Sequence, residues 1–113
     1  MLIVQLDEPG LFVFSSAADA AREIEPIDAE SKIRAAFDES GVPYRVAWLR
    51  RNRYRKSLFG LLKSVDLGEY QLVPAGPAEP AALRQLLEGH LDYTHPPEAK
   101  ADLDTLLARL RAA

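Results

Sequence analysis

Cysteine is absent from this chain, which removes disulfides, thiolate nucleophiles and cysteine-based zinc sites from its chemistry. Histidine is nearly as scarce: His90 and His95 are the only two, so any reaction that needs an imidazole base must use one of them. They do not stand at the four-residue spacing that brings two histidines to one helical face for a metal ion. Asp92 lies between them, yet a packed or solvated pair of histidines is the expected outcome, with no metal and no cofactor. Glycine-based motifs are missing as well. Neither Gly-x-Ser-x-Gly, Gly-x-x-x-x-Gly-Lys nor Gly-x-Gly-x-x-Gly occurs, so the familiar nucleophile elbow and phosphate cradles are excluded. Long apolar runs are lacking too. Met1-Leu2-Ile3-Val4-Gln5-Leu6 stops at Asp7-Glu8-Pro9 and has no basic flank, which is too short for a membrane span and unlike a signal peptide. The expected location is cytoplasmic.

What is present suits one compact body. The chain has 113 residues, 48% hydrophobic and 27% charged, close to the globular average, and it predicts a single α+β domain over residues 1–113. Leu2 to Leu6 and Leu11 to Phe14 read as strands joined by Asp7-Glu8-Pro9-Gly10. Ser15-Ser16 ahead of Asp19 marks a helix start, and Pro26 is expected to end that helix. From Lys32 the period changes to two. Ile33, Ala35 and Phe37, then Tyr44, Val46 and Trp48, predict a β-hairpin whose turn uses Gly41. Glu69 to Val73 reads as a further strand. Leu83, Leu86, Leu87 and Leu91 after Pro80, and Leu103, Leu106, Leu107 and Leu110 after Pro97, predict two leucine-rich helices packed on the sheet or on each other. The expected architecture is a small antiparallel sheet with a central hairpin, covered by one N-terminal helix and two C-terminal helices. Tyr54 to Val65 fits a helical stripe or a strand equally. Trp48 fits either the core or an interface.

Charge is distributed unevenly. Arg50, Arg51, Arg53, Arg55 and Lys56 place five cations in one short run, and removing those five from a net charge of −3 leaves −8 on the remainder. Glu23, Glu25, Asp28 and Glu30 crowd the exit of the first helix. With no glycines or cations arranged beside them, they read as solvated surface rather than as an acid/base pair. No enzymatic activity is expected. The binding residues expected from sequence are Arg50, Arg51, Arg53, Tyr54, Arg55 and Lys56. Cations interleaved with an aromatic ring suit phosphates and a stacked base, so a nucleic-acid module is one alternative, although the acidic remainder opposes a polyanion. Joined to Leu58-Phe59-Gly60-Leu61-Leu62-Lys63, the same run suits an anionic membrane surface. It also suits docking to an acidic protein, or a plainly solvated extension.

One resemblance favours the protein partner. Phe12-Val13-Phe14-Ser15-Ser16-Ala17-Ala18-Asp19-Ala20-Ala21-Arg22-Glu23-Ile24-Glu25-Pro26-Ile27-Asp28 resembles small immunity proteins of bacterial polymorphic toxin systems, with a strand, a serine-capped helix and an acidic exit. Ala36-Phe37-Asp38-Glu39-Ser40-Gly41 and Tyr70-Gln71-Leu72-Val73-Pro74-Ala75-Gly76, with the leucine-rich helix that follows, continue the likeness over about two thirds of the chain. The Arg50 to Lys56 run is not part of it. The resemblance implies a cytoplasmic inhibitor that binds one cognate toxin and has no catalysis of its own.

Overall fold

The computed structural model describes residues 1–56 and 63–113. The α+β class holds. Among the described residues, the strands are β1 (Leu2–Gln5), β2 (Leu11–Phe14), β3 (Ala35–Asp38), β4 (Tyr44–Arg50), β5 (Arg53–Lys56), β6 (Lys63–Asp66), β7 (Glu69–Pro74) and β8 (Thr94–His95). The helices are α1 (Ala17–Glu23), α2 (Pro26–Ser31), α3 (Pro80–His90) and α4 (Lys100–Ala112). Short 3-10 turns at Leu91–Tyr93 and Pro97–Ala99 lead into β8 and α4.

The central sheet runs β3-β1-β2-β8 and is buried on both sides. Strand β1 pairs antiparallel with both β2 and β3, while β8 joins β2 in parallel, so the sheet is mixed rather than purely antiparallel. Successive residues of a strand face opposite ways, which sends Leu2 and Val4 to one core and Ile3 to the other. This double burial explains why Leu2-Ile3-Val4 in β1 is continuously apolar instead of alternating. On the first side Leu2, Val4 and Ala36 meet Ala20 and Ile24 from α1 and its exit, Ala29 of α2, and Tyr70 and Leu72 of β7. On the second, Ile3, Leu11 and Phe37 meet Leu83 and Leu87 of α3 and Leu103, Leu106 and Leu107 of α4. The leucine stripes therefore pack both on the sheet and on one another, as their spacing predicts.

Local chemistry sets several element ends. Ser16 caps α1 by accepting the Asp19 backbone N–H at 3.1 Å, which satisfies one of the free donors of the first turn. Gly41 adopts φ +84° in the turn after β3, a conformation glycine enters without the steric cost that a side chain would add.

Two sequence expectations are corrected, and a third reading that stood open between helix and strand is narrowed. Pro26 does not simply close a helix: Ile24 is extended, and Pro26 then opens a second helix, α2, at its first position, where a missing N–H costs nothing. The expected hairpin of residues 33–48 does not form a ladder. The chain does reverse at Asp38-Glu39-Ser40-Gly41, and Phe37 and Pro43 make one isolated bridge, but β3 pairs along its length with β1 and β4 pairs with β7. The reason is burial: Ala36 and Phe37 sit on opposite faces of β3 and both are inside, so β3 belongs beside β1 between the two cores. The third concerns the ambiguous stretch. Residues 54–56 and 63–65 are strand, in a separate β5–β6 ribbon, while the Ser57–Leu62 part of that stretch lies outside the described residues.

Candidate partner-binding site

The β4–β7 ribbon is the base on which the cationic segment is mounted. Tyr44, Val46 and Trp48 alternate inward with Tyr70 and Leu72, leaving Arg45 and Leu49 outward. Trp48 belongs to the rim of the first core: it is half-buried, 5.6 Å from the Tyr70 ring, and the Arg51 guanidinium lies 5.2 Å from its centroid. That places a cation over the electron-rich face of the indole. Between Trp48 and Arg50 the register with β7 shifts, a bulge that bends the strand and ends regular pairing before β5 begins.

The turn from β4 into β5 is held by Asn52. Its side-chain N–H groups donate to the Pro26 carbonyl at 2.9 Å and to Glu30 Oε2 at 2.8 Å, and its Oδ1 accepts the Gly68 backbone N–H at 2.7 Å. Gly68 is buried against the backbone of Arg50, Arg51 and Asn52, with no room for a Cβ. The Tyr54 hydroxyl donates to the same Glu30 oxygen at 2.5 Å. These hydrogen bonds, Tyr54 first and Asn52 second, hold the Glu30 carboxyl below its ordinary range, with Arg51 adding to the effect. Reciprocally, the carboxylate raises the Tyr54 phenol. One carboxylate of α2 thus ties down two residues of the cationic segment.

Strand geometry separates the residues that sequence had grouped. Arg50, Arg51 and Arg53 line one open depression of about 330 Å³ together with Asp66 and Leu67. Tyr54 alternates with Arg53 and Arg55, and its hydroxyl is committed to α2. Arg55 is also committed, through an exposed ion pair with Asp66 at 2.6 Å. The Lys56 backbone stands opposite Lys63 at the end of the described ladder. Arg50 donates to the Leu67 carbonyl at 3.1 Å. Among the described residues, neither Arg50, Arg51 nor Arg53 makes an ion pair.

Sequence reasoning missed three residues here. Leu49 is 62% exposed and Leu67 45% exposed, and both border the arginines. Arg45 lines a second depression that shares Arg50 and Arg51 with the first. The period-two alternation of β4 carried the signal for Leu49 and Arg45, since it assigns them to the face opposite Val46 and Trp48. Nothing local marked Leu67.

The histidines are engaged apart from this surface. The Gln5 amide donates to His90 Nε2 at 3.1 Å, and His95 stacks on Phe12 with centroids 4.8 Å apart. Among the described residues, no three histidine or carboxylate side chains are grouped to hold a metal ion, and no helix is long and apolar enough to cross a membrane. The acidic stretch divides between the exit of α1 and α2, with Asp28 paired to Lys32 at 3.4 Å. What the fold and this surface define is an α+β domain with a cationic, partly apolar extension. Comparison with family models, curated proteins and solved structures finds no match to the chain.

Proposed function

We propose that this protein is a non-catalytic binding protein, an immunity protein that captures and inhibits a cognate bacterial toxin. The observation that supports the reading is the composition of the surface around Arg50, Arg51 and Arg53. Three guanidinium groups without ion pairs among the described residues lie beside two exposed leucines, on an extension tied to the body by hydrogen bonds. Arginine and exposed apolar side chains together make the anchors of protein interfaces, and fixed arginine forks take carboxylates through paired hydrogen bonds. The resemblance of residues 12–28 to toxin-immunity proteins supplies the kind of partner. Nucleic acid fits less well, because Tyr54 is bound to a carboxylate and separated from the arginines that would hold phosphates.

The test is co-purification with the product of a toxin-like neighbouring gene, followed by binding kinetics. A stable complex that neutralises the toxin is expected. Charge reversal at Arg50, Arg51 and Arg53 should slow association and flatten its salt dependence while the free protein keeps its melting temperature. Absence of any complex rejects the inhibitor reading for that partner. Tight, salt-sensitive binding of RNA or DNA by the free protein, lost in the same variant, would replace it with the nucleic-acid reading.

A further inference from the structure

The hairpin that does not form leaves β4, among the described residues, with an edge that carries no strand ladder. In an antiparallel ladder, residues alternate between pointing their N–H and C=O at the partner strand and pointing them away. The Ala75 N–H donates to the Pro43 carbonyl at 2.8 Å, so position 43 points at β7. By alternation along the register, Arg45 and Ala47 do the same, opposite Val73 and Gln71. Val46 and Trp48 therefore direct their backbone groups to the other edge. Strand β3 lies beside the start of that edge and bridges it at Phe37–Pro43, and beyond that bridge no described strand forms a ladder with β4 on the side away from β7.

A second observation marks the same place. One open depression of about 420 Å³ is lined by Arg45, Val46, Ala47, Trp48, Leu49, Arg50 and Arg51, seven consecutive residues. Neighbouring side chains of a strand face opposite ways, so a hollow that touches all of them runs along the strand's edge rather than over either face. The Arg45 guanidinium reaches back to the Val46 carbonyl at 3.5 Å, a long contact made by a side chain of the strand itself.

We propose that this edge is a strand-docking site, where an extended segment of the partner, bearing acidic side chains, pairs with the main chain of β4 at Val46 and Trp48. The inference deepens the binding-protein reading and rests on it for the partner's identity. Strand addition draws its affinity from main-chain hydrogen bonds and its specificity from alternate side chains. Here alternate side chains of the incoming strand meet Arg45 and Leu49 on one face and the Trp48 rim on the other. Arg45, Arg50 and Arg51 have no ion pair among the described residues, which selects carboxylates. A second copy of the chain is the poorer occupant. Pairing β4 with itself would gather the arginines of both strands in one ladder, and like charges facing each other across a ladder are destabilising.

The test uses the isotope-labelled full chain and two acetylated peptides, Glu-Val-Glu-Val-Glu and Lys-Val-Lys-Val-Lys. In the free protein, amide exchange should be fast at Val46 and Trp48 and slow at Arg45 and Ala47. The glutamate peptide should shift the Val46 and Trp48 resonances and slow their exchange, and the lysine peptide should not. Arg45→Glu with Arg51→Glu should weaken the glutamate peptide at least about tenfold, the equivalent of about 1.4 kcal/mol. Val46→Pro, which deletes one edge donor while sparing the β7 ladder, should abolish the added protection. The exchange measurement on the unmodified chain stands even if that variant unfolds. Slow exchange at Val46 and Trp48 in the free monomer overturns the proposal. So do shifts confined to arginine side chains, or a dimer whose formation alone protects the edge. A chain that captures no toxin but passes this test loses the immunity reading and keeps the docking edge. One that neutralises a toxin while Val46 and Trp48 stay fast keeps the function and loses the edge.

Discussion

The central sheet and the cationic ribbon are stabilised by opposite means. The sheet is covered on both faces, and Leu2, Ile3, Val4, Leu11, Leu83, Leu87 and Leu103 are removed from water almost entirely. Residues 51–55 are mostly exposed, and this segment meets the body through Asn52 and Tyr54, hydrogen-bonded to Pro26 and Glu30, and through the Arg51 guanidinium over Trp48. Apolar burial is worth roughly 25 cal/mol per Å², whereas hydrogen bonds at a wet surface exchange with water at little net gain. The body therefore supplies the stability, and the ribbon displays polar groups it does not need for folding. The division lets one region tolerate charge that the other could not.

The sharpest test of that contrast is a cavity in the body. Leu103→Ala removes a buried side chain that joins α4 to Ile3, Leu11, Leu83 and Leu87, and should cost about 2–5 kcal/mol in denaturant unfolding. A cost below about 1 kcal/mol would mean that the second core is loosely packed.

Gly68→Ala probes the joint between the two regions. The added Cβ would meet the backbone of Arg50, Arg51 and Asn52, which cannot swing aside as a flexible side chain would. A loss of about 1–3 kcal/mol is expected, or an undocked ribbon with the body intact. Resonances of Asn52 and Tyr54 that move while those of Leu83 and Leu103 stay fixed would identify the second outcome. An unchanged melt with unchanged resonances would remove Gly68 from the joint.

The smallest effect is expected from pH at Glu30. Its carboxyl is held below the ordinary value of 4.5, so its help in holding the ribbon is complete above 4.5 and is lost as the pH falls through the lowered value. Tyr54 and Asn52 resonances should follow that titration while the global melt barely responds. Glu30→Gln should remove the pH dependence. If the variant titrates as the parent does, another group controls the ribbon.

Much of the fold was legible because its signals are local. Ser16 caps where a serine three residues before an acid predicts, Gly41 takes the positive φ its turn requires, and both leucine stripes face the core. The candidate site was legible only as composition. The run Arg50 to Lys56 stood out as charge, but its residues divide between a depression, a carboxylate on α2 and an ion pair with Asp66. Glu30 lies 24 residues from Tyr54, and no spacing rule connects them.

The sequence by itself determined the α+β class, the helix faces, the turns and the absence of cysteine chemistry, because each depends on a residue and its near neighbours. Tertiary structure alone decided which strand pairs with which. A strand of alternating apolar residues has backbone groups that suit many partners, and the choice goes to the arrangement that buries most side-chain surface. Ala36 and Phe37 both gain burial beside β1, so β3 goes there, and β4 turns to β7. That β4 carries no second ladder at Val46 and Trp48 among the described residues is the consequence of that competition, which no local pattern records.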